Sequence, residues 1–87
     1  MWYVVSSEIN SKANPYPQVF LKVIQRTANR KTALNTFYEC IDKAQSQGYG
    51  AYEIWDSNYD VCTCVMRDME DSSYLYAIKM YREGMYK

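Results

Sequence analysis

Histidine is missing from this 87-residue chain, which removes the commonest general base and the commonest neutral metal ligand. Most hydrolase arrangements fall with it. Glycine and proline are scarce, at three and two copies. Gly48, Gly50 and Gly84 cannot form a phosphate-cradling loop, because Gly48-Tyr49-Gly50 lacks the further glycine or the lysine that such a loop needs. Long apolar runs are also absent. Trp2-Tyr3-Val4-Val5 and Val19-Phe20-Leu21 fall far short of the roughly 18 residues that span a bilayer, and no basic segment followed by an apolar stretch marks a secretory signal. Net charge is zero, with ten basic side chains balancing ten acidic ones, so no global field draws the chain onto nucleic acid or an anionic membrane. The expectation is one small soluble domain spanning residues 1–87, cytoplasmic and without a membrane partner.

Three cysteines, Cys40, Cys62 and Cys64, are an odd number in a chain with no disulfide-rich character, and free thiols in a reducing compartment are expected. Cys62-Thr63-Cys64 puts two thiols on one side of a strand. A zinc site would need a carboxylate as its fourth ligand, so small buried packing groups are the better reading and no metal is expected. Asp56-Ser57-Asn58-Tyr59-Asp60 copies the opening of a calcium loop, but Val61 replaces the turn glycine and Arg67 the closing glutamate. It reads as a polar turn. Glu53, Asp56 and Asp60 lie near one another in sequence without a cleft to perturb them. No cofactor, no catalytic residue and no enzymatic activity are expected.

What the chain does have is alternation. Residues 2–9 are aromatic and β-branched and read as a strand. Asn10 to Pro17 reads as a turn, and residues 18–26 alternate again, which opens the domain with a hairpin. The period then changes: Ala33, Leu34, Phe37, Cys40, Ile41 and Ala44 recur at three- and four-residue spacing, predicting a helix over about residues 30–47 with Asn29 as N-cap and Gly48 just beyond its end. Residues 51–56 and 59–66 read as a second hairpin turning at Ser57-Asn58. Tyr74, Leu75, Ala77, Ile78 and Tyr81 suggest a second helix, with Asp68, Glu70 and Asp71 at its positive end and Gly84 closing it. The expected fold is α+β, ββαββα, a mainly antiparallel four-stranded sheet with both helices on one face and the other face open. Trp2, Val4, Phe20, Trp55, Cys62, Cys64 and Met66 are too many for a one-sided core, so some of them should lie on that open face.

Two features bear on function. Residues 1–48 carry six basic against three acidic side chains, and residues 49–87 carry four against seven. Within the basic half, Lys22, Arg26, Arg30 and Lys31 surround the expected helix start, where cations oppose the dipole and an anion would be welcome. The plainer reading is that they extend into water. Ten tyrosines join Trp2, Trp55, Phe20 and Phe37, and a core this small cannot absorb all fourteen rings. Tyrosine, tryptophan and arginine are enriched where proteins meet, although tyrosines half-buried at sheet and helix edges would account for part of the excess.

The function expected is therefore a small non-enzymatic protein-binding module. It would engage a larger protein partner through aromatic surface and the basic helix start, with Lys22, Arg26, Arg30, Lys31, Trp2 and Trp55 as the binding residues. Small self-contained chains of this kind are common among phage-encoded inhibitors of host enzymes or defence complexes, so a viral anti-defence origin is the guess, with action in the host cytoplasm. Single-stranded nucleic-acid binding, with bases on sheet aromatics and phosphates on the Arg and Lys side chains, is the alternative that zero net charge weakens. A further alternative is a homo-oligomer, a homodimer for instance, formed by pairing strand edges or the oppositely charged halves.

Overall fold

The computed structural model describes residues 1–10, 12 and 18–84. Its elements are β1 (Trp2–Asn10), β2 (Gln18–Thr27), α1 (Arg30–Ser46), β3 (Tyr49–Ser57), β4 (Val61–Asp68) and β5 (Tyr74–Arg82). All strands join one antiparallel sheet in the order β2-β1-β5-β4-β3. The domain is α+β as expected, but the order is ββαβββ. Among the described residues, five strands and one helix replace the predicted four and two. The predicted turn from Asn10 to Pro17 lies largely outside the described residues.

The error is at residues 74–82. Tyr74, Ala77, Ile78 and Tyr81 fit a helical stripe, but Ile78 and Met80 are buried while Ala77, Lys79 and Tyr81 are only partly covered, which is a strand's alternation. The acidic residues before it serve the chain reversal instead of a helix dipole. Asp68 Oδ1 accepts from the amides of Glu70 and Asp71, and Asp71 Oδ1 accepts from the Ser73 amide and hydroxyl. Such side-chain caps stabilise turns. Gly84 keeps a positive φ of 89°, in a turn after the strand.

The local readings around α1 hold. Asn29 is extended and its side chain accepts from the Thr32 amide, and Gly48 takes the positive φ, 105°, that reverses the chain into β3. Ala33, Phe37, Ile41 and Ala44 form the buried stripe of the helix. It packs on one sheet face against Trp2, Val4, Cys62, Cys64, Met66, Ile78 and Met80. The sequence expectation that such residues would divide between two faces is thus corrected. Trp2, Val4, Cys62, Cys64 and Met66 all enter the single core, and of that set only Phe20 and Trp55 stay exposed. The shortest molecular dimension, 19 Å, is the thickness of one sheet plus one helix, and among the described residues no element backs the other face.

Phe37→Ala should lower unfolding free energy by about 3–5 kcal/mol, because the ring is fully buried. Gly48→Ala should cost about 1 kcal/mol through the positive φ alone, since a Cβ there meets nothing. Tyr38→Ala, on the exposed side of α1, should cost less than Phe37→Ala. Urea unfolding followed by circular dichroism measures all three.

Candidate docking surface

The uncovered face is built by register. Val5 lies between Val23 on β2 and Lys79 on β5, Ser7 between Leu21 and Ala77, and Ile9 between Val19 and Leu75. On the far side of β5, Lys79 pairs with Thr63 and Ala77 with Val65, which in turn pairs with Ile54. An antiparallel sheet facing water on one side usually alternates to polar residues there. Here the outward set is dominated by valine, leucine, isoleucine and alanine. Val19, Leu21, Val23 and Ile54 are 53–73 % exposed. Val5, Ser7, Leu21, Val23, Thr63, Ala77, Lys79 and Tyr81 contribute to the walls of a shallow groove of about 460 Å³ over the centre of the face. Its walls carry two lysines, Lys22 at the β2 side and Lys79 on β5.

At one end of this face Tyr3 and Tyr81 stack with ring centroids 5.4 Å apart, and the Arg26 guanidinium lies 5.7 Å from the centre of the Tyr3 ring. At the other, Arg67 Nε donates to Glu53 Oε1 at 2.7 Å and its Nη1 to the Ser72 carbonyl. A second, smaller surface lies on the helix side beside β3. There Trp55 packs against Phe37, Tyr38 and Tyr52 at centroid distances of 5.7, 6.0 and 4.8 Å. Tyr38, Tyr52 and Trp55 stay partly exposed, forming an aromatic ledge.

The residues singled out from sequence are dispersed. Lys22 lies on the helix side of β2, lining a hollow with Cys40 and Lys43. Arg26 stands on the opposite sheet face beside Tyr3. Four residues apart on a strand, the two should share a face. A register shift in the β1–β2 pairing adds a residue around Ile24 and turns Arg26 over. Arg30 is occupied internally: its Nε donates to the Tyr59 carbonyl at 3.0 Å, and its guanidinium lies 4.4 Å from the Tyr59 ring centre and 5.7 Å from that of Trp2. Trp2 itself is 6 % exposed and meets Tyr59 edge-on. Lys31 is exposed. The four cations therefore form no common anion receiver. Trp55 is the one predicted ring that reaches the surface, and the outward valines, Leu21 and Ile54 went unflagged. Their signal was the period-two pattern of residues 18–26, which sets Val19, Leu21 and Val23 on one face.

The titratable groups support packing more than chemistry. Burial raises the Cys64 thiol from 9.0 to about 11, and burial also raises Cys40, which is hydrogen-bonded to Tyr76. Burial first, and Cys40 second, push the Tyr76 phenol up to about 12. Glu53 and Asp60 pair with Arg67 and Arg82. Among the described residues no cluster of three or more cysteine and carboxylate ligands comes together, and no helix is long and apolar enough to cross a membrane. Asn58 Oδ1 accepts from the amides of Asp60 and Val61, so the calcium-like segment is closed as a turn by its own side chain.

Arg30→Ala should destabilise the fold by about 1–2 kcal/mol, through the lost ring contacts and carbonyl bond. Arg30→Lys should not restore this, since a lysine has no planar fork to stack, while Lys31→Ala should stay within about 0.5 kcal/mol of the parent. In alkali the raised Cys64 thiol keeps its proton when folded and loses it when unfolded. Stability should therefore be intact below pH 9 and decline as pH rises through about 11. Urea titrations across that range should show a shallower decline for Cys64→Ala. Comparison of the chain with protein-family models, with curated proteins and with solved structures returned no match.

Proposed function

We propose that this chain is a non-enzymatic protein-binding module that docks through the uncovered face of its sheet. One observation carries the reading: the central strands and β2 present an apolar face to solvent where an antiparallel sheet of this kind normally presents polar side chains. Contiguous exposed apolar surface of this sort marks interaction sites. The groove gives a partner side chain somewhere to enter. Tyr3, Tyr81 and Arg26 supply residue types frequent among binding hot spots at the rim. The basic helix start has no part in this docking surface, because Arg30 is committed to Tyr59 and Trp2.

Nucleic-acid binding keeps one observation in its favour, the Tyr3–Tyr81 pair with Arg26 on the open face. Against it, each ring already spends a face on the other, and the chain has no basic excess to meet phosphates. Retardation of single-stranded RNA or DNA at low salt would reverse that preference.

The test is affinity capture with matched variants. Thr63→Glu sets a carboxylate opposite Lys79 within the groove, and Ile54→Lys charges an exposed apolar position on the same face. The double variant should keep the parent's circular dichroism spectrum and lose captured protein by tenfold or more. Lys31→Glu, at the helix start, should capture as the parent does. Equal capture by parent and double variant would overturn the docking face. Addition of the isolated partner to its own activity assay then separates an inhibitor from an adaptor.

A further inference from the structure

The sheet has two edges, β2 and β3, and they are guarded very differently. Exposed strand edges invite pairing with another chain, and proteins block them with charges, bulges and irregular backbone. β3 has such devices: its pairing with β4 shifts register twice, between Tyr49 and Tyr52 and between Tyr52 and Ile54, and it carries Glu53 and Asp56. β2 from Gln18 to Val23 has almost none. It runs in unbroken register with β1 until the shift near Ile24, contains no proline, and has Lys22 as its one charge. Its side chains are apolar on both faces, with Val19, Phe20, Leu21 and Val23 at 53 %, 62 %, 73 % and 63 % exposure.

We propose that two copies of the chain pair antiparallel through their β2 edges, in a register centred on Leu21, to form one continuous ten-stranded sheet. A two-fold axis normal to the sheet keeps residues opposite one another on the same face, so it must pass through a residue position. Centring on Lys22 would oppose two like charges. Centring on Leu21 sets Leu21 against its own copy, Val19 against Val23 of the other copy, and Phe20 against Lys22. The open face gains three apolar cross-strand pairs. The helix side gains two contacts between a cation and a ring. The frame ends near Ile24, where the register of β2 breaks, so the regular part of the strand is also the part that the pairing uses. Five side chains and one strand edge per copy place this interface near the low end of stable complexes, at about 1,000 Å², which corresponds to a reversible, concentration-dependent dimer.

The inference goes beyond the docking reading, because it uses the sheet edge where that reading uses the face. Sedimentation equilibrium of the full chain from micromolar to about 0.5 mM should show mass rising toward that of a dimer. Phe20→Lys faces Lys22 of the other copy and should weaken association tenfold or more, whereas Phe20→Glu should retain or strengthen it. Ile54→Lys should leave association unchanged, so the face and the edge can fail separately. In a Cys40→Ser background, Leu21→Cys should cross-link to its own copy under mild oxidation, since directly opposed Cα atoms lie within disulfide reach. Val19→Cys should not, because two copies of residue 19 would sit about 13 Å apart along the strand. A single-chain mass at every concentration, unchanged association in Phe20→Lys, or Val19→Cys cross-linking as fast as Leu21→Cys would each overturn the proposal.

Discussion

The architecture depends on β5 lying between β1 and β4. The two hairpins, β1–β2 and β3–β4, have no strand pairing with one another except through it. β5 bonds to β1 over nine residue pairs and to β4 over seven, and its Ile78 and Met80 sit at the centre of the core. The β4–β5 pairing joins consecutive strands, whereas the β1–β5 pairing joins residues far apart in sequence, so its closure cost is met late and recovered only when β1 zips onto β5. The same placement determines what is left bare. With the last element spent as a strand, α1 alone must cover five strands. A helix of 17 residues is about 25 Å long and about 10 Å wide, enough for a diagonal stripe across one face. The first half of β2 and most of β3 lie beyond that stripe, and among the described residues no element covers the opposite face.

Local rules were legible in the sequence and positional ones were not. Asn29, the apolar stripe of α1 and Gly48 were readable because capping, period and positive φ are decided within a few residues. The segment 74–82 was not, since Tyr74, Ala77, Ile78 and Tyr81 satisfy a period near 3.6 while Ile78 and Met80 satisfy a period of 2. Only the partners on either side settle the matter. Asp68 and Asp71 added to the error, because an acid before an apolar run suits a helix start and a tight turn equally well. Candidate binding residues suffered from the same limit. Trp2 looked like surplus aromatic area, but it lies under Arg30 and Tyr59, which come from the start of α1 and the β3–β4 turn. Lys22 and Arg26 looked like neighbours on one face until the bulge near Ile24 separated them.

Bulges do more here than correct strand geometry. The shift in β2 ends the regular edge at Val23 and re-aims Arg26 toward Tyr3, joining a cation to the aromatic end of the open face. The two shifts in β3 make the opposite edge a poor template for another strand. A sheet whose edges differ in this way has a direction of growth, and growth stops after one step when the growing edge meets its own copy, because the exposed edges are then both β3.

Stability and the proposed association would share a cause in this molecule. A chain of this size hides only about 60 to 65 % of its unfolded surface, and with one helix against five strands much of what it fails to hide is valine, leucine and isoleucine. Transferring such groups from water is the dominant favourable term in both folding and association. Evolution toward a more stable solitary domain would place polar residues at Val19, Leu21, Val23 and Ile54, where exposure above one half means that little packing would be lost. That these positions are apolar is accounted for if they are covered during function. Burying them against protein would also hold β2 to β1, tying the least protected strand to the rest of the sheet.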